Sequence, residues 1–374
     1  MAGSRAFIAF TVTAAVLFLV LSFNVTVSAD TAGECGDDLT WSYDTETKIL
    51  TISGVGEMYD YNDHDAPWKD LIVSSVVIGN GVTTIGDNAF IMNSEMTQLS
   101  LPSTLLSIGD SAFMMCDLAS LTIPQSVTTI KEGAFAMTAI MSLTIPSGVT
   151  DIGHGAFAGC SLISEINAEG TNFRSIDGVL FSGDGKTLLC YPGGANGAYI
   201  IPDGTSAIDN NAFYDCSLTS VVIPEGVTAI GNYAFTLCDS MTSASIPSTL
   251  TSIGDSAFAV TALRSVNVPK DVAVIGELAF YDCTSLIDII MSANDADIGD
   301  RAFALGRSSS PIVCEVHTSV DGILDGYGNE YTTFEYIVDS DDDNGNGDDG
   351  NDWYIIGAIA LILIIVSLLI IRRG

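Results

Sequence analysis

The sequence predicts a solenoid of parallel β coils, 22–23 residues each with one short helical turn, closed by β-rich caps and followed by one C-terminal transmembrane helix. Three observations predict it. An Ala-Phe pair ends at Phe90, Phe113, Phe135, Phe157, Phe213, Phe235, Phe258, Phe280 and Phe303, in steps of 23, 22, 22, 56, 22, 23, 22 and 23 residues. A strand-like triplet recurs with the same period, and a proline follows it in seven coils. A fixed period of this size means that each unit buries its apolar face only against its neighbours.

The triplets are Leu99-Ser-Leu101, Leu121-Thr-Ile123, Leu143-Thr-Ile145, Val221-Val-Ile223, Ala244-Ser-Ile246 and Val266-Asn-Val268. Alternation turns the outer two side chains inward and the middle one outward. Ser100, Thr122, Thr144, Val222, Ser245 and Asn267 are therefore the candidate partner-binding residues. The proline (Pro102, Pro124, Pro146, Pro202, Pro224, Pro247, Pro269) has no N–H to donate and ends the ladder. A second apolar beat follows, as in Thr83-Thr-Ile85, usually closed by glycine. Asp87, Asp110, Glu132, His154, Asn210, Asn232, Asp255, Glu277 or Asp300 comes next, mostly side chains able to cap a helical turn. The phenylalanines then stack inside, roughly 4.8 Å per coil if the strands pair in parallel.

Three residues after each phenylalanine stand Asn93, Cys116, Thr138, Cys160, Cys216, Cys238, Thr261, Cys283 and Gly306. With that column, Cys-x-x-Leu-x-x-Leu-x-Ile-Pro-x-x-Val-Thr-x-Ile-Gly-x-x-Ala-Phe resembles the BspA-like leucine-rich repeats over roughly residues 76–303. The resemblance implies a right-handed leucine-rich-repeat solenoid on a secreted or surface-anchored protein of the adhesin or partner-binding kind. It carries no catalytic residue to transfer.

Residues 1–29 read as a signal peptide: Arg5, an apolar run from Ala6 to Leu21, then Val27-Ser-Ala29. A retained N-terminal anchor is the alternative. Residues 30–75 form an N-terminal β cap, with strands Leu39–Tyr43 and Leu50–Gly54 around the turn Asp44–Lys48. Trp41 and Trp68 belong to its core; a sugar-stacking platform is the alternative. The solenoid spans 76–304. Its 56-residue step resolves into strand positions Ile145, Asn167, Ile201 and Ile223, so one coil carries about 12 extra residues. These are visible as a hairpin at 179–191 around Gly183-Asp-Gly185, read as decoration or as a functional surface. Residues 305–338 supply closing strands from Pro311–Val316 and Tyr331–Val338. Residues 339–352 hold no apolar side chain and form an acidic stalk.

Residues 353–371 are 19 almost wholly apolar residues, about 28 Å as a helix. Trp353 and Tyr354 suit the outer interface, and Arg372-Arg373 mark a cytoplasmic tail at 372–374. No Leu-Pro-x-Thr-Gly precedes the run, so a retained span is preferred over a cell-wall sorting tail. The expectation is a single-pass cell-surface protein with its repeats outside.

With 46 acidic and 12 basic residues the net charge is −34, which argues against nucleic-acid partners. Asp342-x-Asn344-x-Asn346-Gly347 opens like a calcium loop, but its twelfth position is Trp353 and not a bidentate glutamate. Five of eight cysteines share one column, where small apolar packing suffices; no zinc spacing occurs. No phosphate loop, His-Glu-x-x-His or His-supported nucleophile appears, so neither an enzyme nor a cofactor is expected. The function read from the chain is binding of extracellular protein or glycan partners. The alternatives are a self-assembling coat and, last, an enzyme with its site in the hairpin coil.

Overall fold

The computed structural model describes residues 31–62, 65–286, 288–291 and 296–303, together with the strands Val313–Thr318 and Thr332–Glu335. The signal peptide, stalk, transmembrane run and tail read above lie outside them. Among the described residues no helix is long and apolar enough to cross a membrane.

Most coils give one short strand to each of two parallel sheets, the first of which is interrupted along the stack. The first sheet pairs Val76 with Leu99, Leu143 with Ile166, Val221 with Ala244, and Val266 with Ile289. The second runs Ile85–Ile108–Ile130–Ile152 and, beyond the insertion, Leu188–Ile208–Ile230–Ile253–Ile275–Ile298. The core lies between them, and most inward residues of both sheets are buried.

Down its axis runs the predicted aromatic stack. Ring centroids lie 5.2 Å apart from Phe90 to Phe113 and from Phe113 to Phe135, and 5.8 Å from Phe135 to Phe157. Beyond the insertion the spacings from Phe213 to Phe303 are 4.6, 5.0, 5.3 and 5.0 Å. The repeat pattern did not foresee two further members. Trp68 stacks on Phe90 at 5.3 Å, and Tyr191 stacks on Phe213 at 4.9 Å.

The predicted helical turn is corrected. The Ala-Phe segment is non-helical in every described coil, because two of its residues take left-handed backbone conformations. In the first repeat these are Asn88 (φ 55°) and Met92 (φ 58°), and equivalents recur along the stack. The chain then alternates its donors. Asn88, Phe90 and Met92 N–H donate to Asp110, Ala112 and Met114 carbonyls of the next coil, each at 2.8 Å. Ile91 and Asn93 N–H donate back to Asn88 and Phe90 carbonyls at 3.3 Å. Half the hydrogen bonding thus runs between coils, where a helix would keep it within one.

The capping column is corrected for the same reason: its side chains serve the next coil. Asp87 Oδ1 accepts from Asp110 N–H (2.8 Å), Asp110 from Glu132 (2.9 Å), Asn210 from Asn232 (2.8 Å), Asn232 from Asp255 (2.9 Å) and Asp255 from Glu277 (2.8 Å). The preceding glycine leaves room for this ladder. A Cβ at Gly254 would stand 2.5 Å from Asn232 Oδ1 and 2.6 Å from its backbone nitrogen. Asn232→Ala is expected to lower unfolding stability by about 1 kcal/mol, since the Asp255 N–H loses its acceptor. Urea titration checks this, and an unchanged midpoint would refute the inter-coil role.

The N-terminal cap is an antiparallel meander, Thr31–Gly36, Leu39–Asp44 and Ile49–Gly54, whose last strand pairs in parallel with Ser75–Ile78. Its first strand was not anticipated. Trp41 and Trp68 are both buried, edge to face at 5.8 Å, as the core reading expected. Trp68 Nε1–H donates to the Ala89 carbonyl at 2.7 Å. It replaces the backbone donor that a preceding coil would supply.

Two further details differ from expectation. Leu121–Ile123 forms no strand, although Thr122 is exposed and Ile123 buried as predicted. Inward side chains hold a coil in the stack, so it can lose a ladder without leaving it. In the enlarged coil Asn167 faces outward, in register with Thr144, while Ile166 is buried and Ala168 pairs with Ile145. The inward position is therefore Ala168, one residue later than read, because Asn167 keeps its polar side chain in water.

The hairpin is present and is one strand longer than predicted: Phe173–Ile176, Val179–Ser182 and Thr187–Cys190 form an antiparallel meander. Its last strand pairs in parallel with Ala207–Ile208 and starts the second half of the second sheet. Here the interior divides into two clusters, and Phe157 does not stack on Tyr191. Gly159 N–H to the Tyr214 carbonyl (3.2 Å) and His154 Nδ1 to the Asp209 carboxylate (2.9 Å) tie the halves together. At the far end Val313–Thr318 pairs in parallel with Asp288–Met291 and antiparallel with Thr332–Glu335, where closing strands were expected.

Candidate binding face

All six candidate residues are exposed: Ser100, Thr144, Val222, Ser245 and Asn267 on the outer face of first-sheet strands, and Thr122 in the coil that lacks one. Strand register places several side by side with equivalents in the adjoining coil: Val77 with Ser100, Thr144 with Asn167, Val222 with Ser245, and Asn267 with Ile290. A second outward row, missed in the sequence reading, lies two residues earlier. It includes Gln98, Ser120, Ser142, Ser243 and Ser265, all exposed. Strand alternation extended two residues upstream would have found it.

The hydroxyls of the two outward rows have no side-chain partner among the described residues. None of Ser100, Ser120, Thr122, Ser142, Thr144, Ser243, Ser245 and Ser265 makes a side-chain hydrogen bond to another described residue. Just ahead of the second-sheet strands several hydroxyls are consumed. Thr128 Oγ1 donates to the Leu106 carbonyl (3.2 Å), Thr150 to Thr128 (3.2 Å), Ser126 to Leu105 (2.6 Å) and Thr251 to Thr228 (2.8 Å). The division is by position rather than by side: Thr97 and Thr242 next to the first sheet donate to the Ser74 and Thr219 carbonyls (3.4 and 3.3 Å), while the half-buried Thr84, Ser107, Thr129 and Ser252 on the second-sheet strands make no side-chain hydrogen bond to a described residue. The first-sheet face also changes along its length, with Ile200 (70 % exposed) beside Val222 (44 %). Ile200 was missed because the inserted coil displaces its triplet.

The cysteine column points inward, as read. Cys116, Cys160, Cys238 and Cys283 thiols donate to the carbonyls of Phe90, Phe135, Phe213 and Phe258 in the preceding coil at 3.0–3.1 Å. Burial pushes the Cys116 thiol up to about 12 and those of Cys160 and Cys283 to about 11. A thiolate is the reactive form, so these are inert structural groups. The seven described cysteines are all free and buried. In native protein a thiol reagent is expected to leave all seven unlabelled until global unfolding. Mass spectrometry of labelled peptides checks this, and fast labelling at Cys160 would contradict the packing. Among the described residues no group of three His, Cys, Asp or Glu side chains could hold a metal ion.

The repeat geometry agrees with a family comparison. Residues 68–187 and 206–321, more than half the chain, match the family described as BspA type leucine rich repeat region, in six copies. The chain belongs to this BspA type leucine rich repeat family. The solved pneumococcal vaccine antigen PcpA shares its fold at 20 % identity and TM-score 0.58, over 78 % of this chain and 88 % of that one. A leucine rich cell surface protein from Faecalibacterium prausnitzii is 24 % identical with TM-score 0.49, over 75 % of this chain and 98 % of that one. A search of curated proteins gives no match. Membership in a BspA type repeat family is consistent with a recognition or adhesion role.

Proposed function

We propose that the protein is a cell-surface-anchored recognition molecule whose first-sheet face binds an extracellular protein or glycan. The exposed hydroxyls of that face, unbonded to other described residues and carried from coil to coil by the strand register, carry the reading. Mostly small side chains in two rows make a shallow strip along which an extended polymer lies, with affinity spread over many weak contacts. Anchoring through residues 353–371 and a stalk at 339–352 are parts of the same proposal. Nothing in the repeat suggests catalysis.

The test is adhesion of cells with and without the protein to matrix proteins and glycans. Replacing Thr122 and Thr144 by arginine leaves the fold intact, since both are exposed, and is expected to lower adhesion about tenfold or more. Thr150→Ala beside the second sheet leaves adhesion unchanged. Equal adhesion with and without the protein on every surface would end the proposal. The adjoining Ile200 and Val222 favour a second reading, side-by-side assembly of copies. Sedimentation of the protein as a monomer at high salt would exclude it.

A further inference from the structure

Along the turns, each coil donates N–H groups to carbonyls of the next, so the first repeat receives its bonds from the cap. Tyr61 N–H serves the Asp87 carbonyl at 2.9 Å, and the indole of Trp68 serves that of Ala89 at 2.7 Å. The third acceptor of the set is the Ile91 carbonyl. Its counterpart one coil on, Met114, receives Met92 N–H at 2.8 Å, and the next, Ala136, receives Met115 N–H at 2.9 Å. Among the described residues nothing donates to Ile91. Among the described residues the cap ends the ladder one rung short.

That rung faces a cleft. A space of about 240 Å³, open to solvent, is lined by Trp68, Lys69, Leu71 and Ile72 of the cap and by Asn88–Glu95 of the first repeat. Ile72 is 60 % exposed there. The volume falls below the roughly 300 Å³ at which small-molecule pockets begin. An unused backbone acceptor in a cleft with both apolar walls (Trp68, Leu71, Ile72, Met92) and polar ones (Lys69, Asn93, Ser94, Glu95) suits a strand of foreign chain, which would continue a ladder that the solenoid has already built.

We propose that this cleft binds an extended peptide of a protein partner, one of whose backbone N–H groups takes the missing rung on the Ile91 carbonyl. The next apolar side chain packs between Ile72 and Met92. The lining carries one charge of each sign, Lys69 and Glu95, so it is the net charge of −34 that favours a basic residue, placed beside Glu95. The site lies on the turn side of the coils and does not depend on the hydroxyl face.

The probe is an array of capped octapeptides in an alanine–threonine frame, each with a central apolar–basic pair. The best binder is then titrated calorimetrically into the full-length protein. Replacing its amides by esters one at a time is expected to weaken binding about 5–10-fold at a single position, the loss of one hydrogen bond. Ile72→Glu is expected to weaken binding tenfold or more without moving the unfolding midpoint. Bound peptide also slows amide exchange across residues 91–95. The arginine pair at Thr122 and Thr144 leaves all of this unchanged, which separates the two sites. Absence of any peptide binding would overturn the proposal. So would binding indifferent to both the ester scan and Ile72→Glu, or binding abolished by the arginine pair.

Discussion

Phe113→Ala is expected to destabilise the protein by about 3–5 kcal/mol, the range for deleting a fully buried phenylalanine. The ring has no solvent exposure and stacks at 5.2 Å on both Phe90 and Phe113's other neighbour, Phe135. Its removal therefore opens a void at two coil interfaces, and in a solenoid those nearest-neighbour interfaces are the stability. Phe157 provides the internal comparison. It stacks on Phe135 alone, at 5.8 Å, because the hairpin coil separates it from Tyr191. Phe157→Ala should cost less than Phe113→Ala. Urea unfolding of the two variants checks the order. Adding Phe258→Ala to Phe113→Ala should give nearly additive losses, since the two rings belong to different clusters. Equal, small losses at all three positions would mean that the rings do not carry the stack.

Asp215→Asn is expected to stabilise the protein at pH 7. Asp215 occupies a left-handed position of its turn (φ 56°) that also holds Met137 and Leu237 in other coils. Burial, and then the nearby Asp239 charge, raise its carboxyl from 3.8 to about 6. A raised folded-state value means that the native state holds the proton between pH 4 and 6 while the unfolded chain has lost it. Stability from this group is therefore greatest in acid and falls as pH rises through about 6. The charged form at pH 7 costs up to about 3 kcal/mol, and partial exposure brings the expected gain to about 1–2 kcal/mol. Asparagine keeps the shape, tolerates the left-handed backbone and cannot ionise. Wild type and variant should converge below pH 4 and diverge above pH 6. The difference between the two curves isolates this group from the general repulsion of the acidic surface. A pH-independent difference would refute the assignment.

The same two positions show what could be read from the chain. Phe113 is legible because a buried ladder needs one large apolar group per coil, and the repeat writes it at a fixed step. Asp215 is not, since its position holds Met, Gly, Leu and Val in other coils and a second aspartate at Asp282, so the column fixes no chemistry and only the packed turns around Asp215 bury its carboxylate. The Cys116 column was legible as inward packing, but its hydrogen bonds to the preceding phenylalanine carbonyl were not.

Period and alternation in the sequence already settled the stacked architecture, the buried rings, the strand of the first sheet and that Thr144 faces water. These depend on patterns local to one coil and repeated in the next. Tertiary structure decided the rest. Left-handed residues such as Asn88 and Met92 turn donors toward the neighbouring coil, so a segment read as helical became a ladder. Trp68 and Tyr191 joined the aromatic stack from outside the repeat because their chains pass at the right height. Whether a threonine hydroxyl is consumed, as at Thr150, or left for a partner, as at Thr144, is set by the carbonyl that stacking brings within reach. A one-dimensional pattern names the residue in each layer, and only the contact between layers determines what that residue touches.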